Sequence, residues 1–205
     1  MPTPLQNTQA NERLIAKSRA YANTAEIRKA DGTVRHKCFL SYHHDDAVAV
    51  EEFVTNFEDV FIPKVIGISD QYGELVDSYD DDYVMDRIRE DFLTDSTVTI
   101  VFIGACTSTR KFIDWEIYST LRNDSNNRRS GLMAIQLPTA ASLPARLGLN
   151  YTQGDEDSYA RYWVYPSTGS VLQGWIQDAF DARTTRAAAV KLGGARQSSN
   201  YACTA

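Results

Sequence analysis

The segment from Thr97 to Ile103, TVTIVFI, constrains the fold more than any other part of the chain. Its apolar, β-branched and aromatic residues are consecutive rather than alternating, so a strand built from it has no face to give to water. Such a strand belongs in a sheet covered by helices on both sides. The flanking segments agree. His36 to Tyr42 reads as a short, continuous strand. Phe61 to Ile68 reads as another, with Pro63 near its start suiting an edge position. Leu132 to Leu137 is stopped by Pro138, and Tyr159 to Tyr165 by Pro166. Helical spacing falls between these runs. Val50, Phe53, Val54 and Phe57 follow Asp45 and Asp46, either of which can cap the helix. Val84, Ile88 and Phe92 lie four apart within Tyr83 to Leu93. Lys111 to Arg122 is a third helix, and Leu172, Trp175, Ile176, Ala179 and Phe180 mark a last one from Ser170. Strands alternating with helices predict an α/β fold. We expect a flavodoxin-like three-layer sandwich with a mainly parallel five-stranded sheet, order 2-1-3-4-5, and right-handed crossovers. Thr139 to Ser158 reads as a long irregular loop.

The ends of the chain differ from its middle. Residues 1–35 read as an N-terminal helical extension, with Leu14, Tyr21 and Ala25 on one face and Ser18 interrupting it, ending at the turn Asp31-Gly32. Residues 36–183 form the sheet domain, and 184–205 a basic, loose tail. Asp70 to Asp91 holds nine acids against two bases, whereas Met1 to Lys37 has seven bases against three acids. An acidic middle argues against a nucleic-acid footprint over the fold, and a solvated acidic face is its plainest reading. The longest apolar run, Val98 to Gly104, is far shorter than the ~20 residues of a membrane span. No apolar leader follows Met1. We therefore expect a cytoplasmic protein without nucleic-acid or membrane partners. Three widely separated cysteines (Cys38, Cys106, Cys203) argue against a disulfide framework and for a reducing compartment.

In a sheet of this kind ligands bind outside the carboxyl ends of the strands. That rim is built from Tyr42 to Asp45, Ser69 to Asp70, Gly104 to Thr109 and the residues after Leu137. Glu116 is the residue that the helical pattern singles out. With Ile113 set at 0° on a wheel of about 100° per residue, Ile117 falls near 40°, Phe112 near −100° and Glu116 near −60°. A carboxylate thus sits inside the apolar sector, and a buried charge should be paired, protonated or functional. A Glu at the core edge, bonded to backbone or to an Arg, is the structural alternative. His43 and His44 are adjacent, so their side chains diverge, and no Cys or third His lies just beyond them; no metal site is expected. The segment Gly104-Ala-Cys-Thr-Ser-Thr lacks the Lys of a Walker loop and the spacing of a dinucleotide fingerprint. Asp45 and Asp46 resemble the acidic pair of a phosphoacceptor receiver. The third strand ends in Ile103-Gly104 and the fifth in Tyr165-Pro166, however, without the Asp and Lys that a receiver needs.

Three segments together resemble TIR domains. Cys38-Phe39-Leu40-Ser41-Tyr42-His43-His44-Asp45-Asp46 is similar to their first strand and following loop, and Ser96 to Gly104 to their central strand. Phe112-Ile113-Asp114-Trp115-Glu116-Ile117 is similar to their aromatic-Cys-x-x-Glu helix start, with Phe112 for the usual Trp and Ile113 for Cys. The subgroup that includes ThsB proteins of the Thoeris anti-phage system is the nearest in pattern, over about Arg35 to Arg183. The resemblance implies an enzyme that cleaves the nicotinamide–ribose bond of NAD as substrate, with no cofactor and no metal. Glu116 matches the catalytic carboxylate. Ser41, Tyr42, His43, Asp45, Asp70 and Trp115 are the expected substrate-binding residues, with Tyr42 or Trp115 able to stack on a ring. The product would be ADP-ribose, or a cyclic or conjugated form of it, that activates an effector. Self-association through TIR-like surfaces is a further implication, which the acidic Asp70 to Asp82 would oppose unless a basic surface faced it. A non-enzymatic TIR-like adaptor, with Glu116 in a structural role, and a receiver-like nucleotide sensor are the alternatives.

Overall fold

The computed structural model describes residues 1–21, 23–65, 95–124 and 128–203. Five strands form the main sheet: β3 (Lys37–Ser41), β4 (Ile62–Lys64), β5 (Val98–Ile103), β6 (Gly131–Gln136) and β7 (Arg161–Trp163). All pairings are parallel, in the order β4-β3-β5-β6-β7. This is the expected 2-1-3-4-5 arrangement once a small preceding hairpin is set aside. Every residue of β3 and β5 is buried, as continuous apolar runs require of strands covered on both sides. Pro63 lies in the edge strand β4, where its missing N–H costs no ladder bond on the outer side.

The alternation of side chains along each strand separates two cores. Cys38, Leu40, Ile100, Phe102, Met133 and Ile135 face one side. There they pack with Leu14 of α1 (Pro4–Ala20), Val50, Phe53 and Val54 of α2 (Ala47–Asn56), and Leu172 and Ile176 of α5 (Gly169–Thr185). Val101, Ile103, Leu132 and Ala134 face the other, against Ile113, Ile117 and Leu121 of α3 (Lys111–Leu121) and Leu147 of α4 (Ala145–Leu149). Leu40 points to the first core, so Ser41 must point to the second, towards α3. Gly131 is fixed by close packing, because a Cβ there would lie 2.1 Å from the Ala179 carbonyl oxygen of α5.

Several expectations are corrected. The extension is helical only to Ala20. Residues around the Asp31-Gly32 turn form an antiparallel hairpin, β1 (Ile27–Arg28) and β2 (Val34–Arg35). Ser18, which breaks the apolar stripe, is buried because its hydroxyl accepts the Val65 N–H (3.1 Å) just beyond the edge strand. The loop 139–158 contains α4. The second strand is Ile62–Lys64 and does not include Phe61 or Val65; its expected continuation from residue 66 to Ile68, the acidic loop Asp70 to Asp82 and the helix Tyr83 to Leu93 lie outside the described residues.

The tail is not loose. After α5 it crosses the outer side of α3 and α4 as a strap. Lys191 N–H donates to Asn150 Oδ1 (2.8 Å), Gln197 N–H to Asp114 Oδ2 (2.9 Å) and Tyr201 N–H to the Thr109 carbonyl (2.9 Å). Cys106 and Cys203 are joined in a disulfide, and Cys38 is free and buried. The expectation of no disulfide fails because the folded strap returns Cys203 to the loop after β5, across 97 residues of sequence. Among the described residues no helix is long and apolar enough to cross a membrane.

Candidate functional site

The end of β3 and the first turns of α3 meet at the carboxyl rim of the sheet. Ser41 projects from the last position of β3 and donates a hydrogen bond to Glu116 Oε2 at 2.6 Å. Among the described residues Ser41 is the only side chain bonded to this carboxylate. No cation is paired with it there, so the structural alternative of a Glu–Arg core pair is not what these residues form. Glu116 is 9 % exposed and Ser41 1 %. Burial pushes the Glu116 carboxyl up from its ordinary 4.5 to about 8, and the Ser41 hydroxyl only partly opposes this. At neutral pH and without a ligand the group is mostly a neutral acid. A cation placed beside it would favour the ionised form.

Tyr42 follows Ser41, and its phenol donates to Asn11 Oδ1 of α1 at 2.7 Å. Burial, and then the nearby Glu116 carboxylate, push this phenol far up, so it stays a neutral donor. The N-terminal helix therefore sets the position of a rim side chain. His43 Nδ1 accepts the Asp45 N–H at 3.4 Å and lies 3.5 Å from Asp45 Oδ2. Burial lowers the His43 pKa, and the positive charge of Arg110 lowers it further. The two imidazoles do diverge: His44 Nε2 faces the Thr8 hydroxyl of α1 at 3.4 Å. Among the described residues no group of three His, Cys, Asp or Glu side chains could hold a metal ion.

The structure brings Ser41 and Glu116 into contact; Tyr42, His43 and Asp45 follow along the same loop, with the Tyr42 ring packed on the first core, on the other face of the sheet. Trp115 is elsewhere. It points to the strap, about 100° around α3 from Glu116, is 1 % exposed, and donates its indole N–H to the Gln197 carbonyl at 2.7 Å. A ring sealed in this way offers no face to a ligand, which corrects the expectation that Trp115 stacks on the substrate. Asp70 lies outside the described residues.

Asp46 does more than the helix cap that its position suggests. It stands at the N-cap position of α2 but makes no capping bond. Its carboxylate instead lies on Gly104, at the end of β5, where an added Cβ would be 2.1 Å from Oδ2. Thr139 donates to Oδ1 at 3.3 Å, whereas Oδ2 is buried with no partner among the described residues. Burial lifts the Asp46 carboxyl to about 6. The glycine that ends the TVTIVFI strand was the sequence signal for this contact, since a strand that closes on Gly leaves space for a neighbouring side chain.

The rim thus carries two buried carboxyls, each raised by desolvation; the Ser41, Tyr42 and Thr139 hydroxyls already donate to Glu116, Asn11 and Asp46. Such carboxyls can hydrogen-bond a polyol and can stabilise a positive charge that develops next to them. A family model described as "Thoeris protein ThsB, TIR-like domain" matches residues 39–142, just over half of the chain. The match runs from β3 past β6 and includes both Ser41 and Glu116. No match emerges among curated proteins.

Proposed function

The chain belongs to the TIR-like domain family of Thoeris protein ThsB, and from that premise we propose that it cleaves the nicotinamide–ribose bond of NAD to make an ADP-ribose-derived signal in anti-phage defence. The observation that carries this reading is the Glu116 carboxyl, buried at the carboxyl rim of the sheet and bonded among the described residues only by the Ser41 hydroxyl.

Loss of nicotinamide breaks the C1′–N bond. The ring leaves with the bonding electron pair, and its positive charge passes to an oxocarbenium-like ribose, as in glycoside cleavage. Because the leaving group departs neutral, no metal is needed to stabilise it. A carboxylate beside the ribose has two tasks: it accepts hydrogen bonds from the ribose hydroxyls, and it stabilises the sugar cation. The pyridinium of bound NAD favours ionisation of Glu116, so binding and deprotonation are coupled. Ser41 holds one carboxylate oxygen in place. Water attacking C1′, with loss of a proton, gives ADP-ribose; attack by an internal hydroxyl or an adenine nitrogen gives a cyclic product. The product then reaches an effector by diffusion.

The test is release of free nicotinamide from NAD by the full chain, and mass spectrometry of small molecules from phage-infected cells that express it. Glu116→Gln is the control in both. We expect the variant to lose activity by about 10²–10³-fold, the usual cost of removing one group aimed at developing charge, and to abolish the signal in cells. A folded Glu116→Gln protein that releases nicotinamide at the wild-type rate, or protects cells fully, overturns the proposal.

A further inference from the structure

A polar cavity lies beside Asp114, away from the Ser41–Glu116 contact. Asp114 and Glu116 are two residues apart, about 200° around the helix, so the cavity next to Asp114 is separate from the Ser41–Glu116 rim. It occupies about 290 Å³ between the start of α3, α4 and the C-terminal strap, and Ser108, Arg110, Arg146, Arg196, Ser198 and Tyr201 are among its walls. Three guanidinium groups and a single carboxylate, Asp114, line it.

The Asp114 charge is already matched. Arg146, 4 % exposed, grips it through both Nε (2.9 Å to Oδ1) and Nη2 (3.1 Å to Oδ2), and the Gln197 N–H also donates to it. The remaining Arg146 donors hold the strap through the Leu192 and Ala195 carbonyls. Arg146 is therefore a fixed part of the wall. Arg196 sits over the rings of Trp115 (5.3 Å) and Tyr118 (5.9 Å), which place its charge at the cavity. Arg110 differs from both: its Nε is buried without a hydrogen-bond partner among the described residues. That Nε is closed off from the cavity, but Arg110 lines it, and among the described residues its guanidinium makes no hydrogen bond or ion pair, so its Nη groups are the donors that an anion in the cavity would meet.

The structure assigns this cavity as a binding site for a phosphorylated small molecule, with Arg110 as the cation that takes the phosphoryl oxygens and the Ser108, Ser198 and Tyr201 hydroxyls within reach of its polar remainder. A compact organic phosphate suits the volume, and the lining has a surplus of two formal positive charges to neutralise it. This site neither uses Glu116 nor depends on the cleavage of NAD.

The test is calorimetric titration of the full, disulfide-bonded chain with ribose 5-phosphate, inorganic phosphate and unphosphorylated ribose. Wild type should bind ribose 5-phosphate saturably at one site, inorganic phosphate more weakly, and ribose not at all. Arg110→Gln, with its fold checked by thermal melting, should lose at least about ten-fold in affinity, because one charge-assisted bond is lost. Arg110→Lys should recover part of it. Glu116→Gln should bind as wild type does. Absence of saturable binding to wild type, equal affinity in Arg110→Gln, or loss of binding in Glu116→Gln would each overturn the assignment. The last of these would place the ligand at the rim instead.

Discussion

Replacing Glu116 with Gln should change stability in a way that depends on pH, and the direction follows from burial. The carboxyl titrates at about 8 in the folded chain against an ordinary 4.5. The folded state therefore holds a proton that the unfolded state has lost, and stability falls as pH rises between these two values. Below about 4.5 both states are protonated and the group contributes nothing. At about 1.4 kcal/mol per pH unit the penalty grows through the interval and levels off above pH 8, with an upper bound of about 4–5 kcal/mol. Gln keeps the shape and a hydrogen bond to Ser41 but cannot ionise. At pH 5 the variant should lie within about 1 kcal/mol of wild type, the scale of one altered hydrogen bond. At pH 8.5 it should be more stable by about 3 kcal/mol, which for a chain of this size corresponds to roughly 6–12 °C in melting temperature. Denaturant unfolding of both proteins from pH 5 to 9 measures the difference directly. Asp46, whose carboxyl is also raised, contributes equally to both and cancels. A stability difference that stays flat across this range would show that Glu116 is solvated, and the reasoning would fail.

Three further outcomes are expected. Gly104→Ala forces a methyl group against the Asp46 carboxylate and should destabilise the chain by about 1–3 kcal/mol, measured by denaturant midpoint; Asp46→Ala in the same protein should restore most of this. Cys203→Ser removes a bond that closes a loop with a sequence separation of 97 residues and should cost about 2–4 kcal/mol; hydrogen exchange should show the strap amides of Gln197 and Tyr201 losing protection first, and unchanged exchange there would contradict its role as a tether. NAD binding near pH 7 should release up to about one proton, because a pyridinium beside Glu116 favours its ionised form; calorimetry in buffers of different ionisation enthalpy reads this, and Glu116→Gln should abolish it.

The parts of this molecule that were legible from sequence are those set by short-range periodicity. The TVTIVFI run reads as a doubly covered strand, and the alternation of five such short runs with helical segments gives the parallel sheet and its order. Glu116 was legible for the same reason: one turn of helix places it among Phe112 and Ile113, and no partner outside the helix is needed to see that. The failures are contacts between distant segments of polar chain. The strap has neither a helical nor a strand period, and its hold on α3 comes from backbone groups and the Asp114–Arg146 pair, which no local pattern encodes. The pairing of Cys106 with Cys203 is hidden for that reason, and so is the burial of Trp115, whose aromatic character alone suggested a stacking platform. Asp46 looked like a helix cap because Asp before a helix is one in most chains. Its actual neighbour, Gly104, lies at the end of a different strand.

The energetics of Glu116 bear on why a carboxyl is kept in so poor an environment. As a structural element it is a liability: a Gln or a Leu at this position would avoid the desolvation penalty, and Ser41 alone offsets little of it. Under the proposed function the same penalty becomes useful. A carboxyl that is neutral in the empty protein has a strong tendency to ionise only when a positive charge arrives, and the nicotinamide ring of NAD carries one. As the C1′–N bond breaks, that charge moves from the ring to the ribose, the position that the carboxylate faces in the proposal. Stabilisation then grows along the reaction instead of being spent equally on the bound substrate. A well-solvated carboxylate, already ionised and screened by water, would bind the ring and the sugar cation with little discrimination. The burial that weakens the empty fold is, in this account, the source of the selectivity for the transition state.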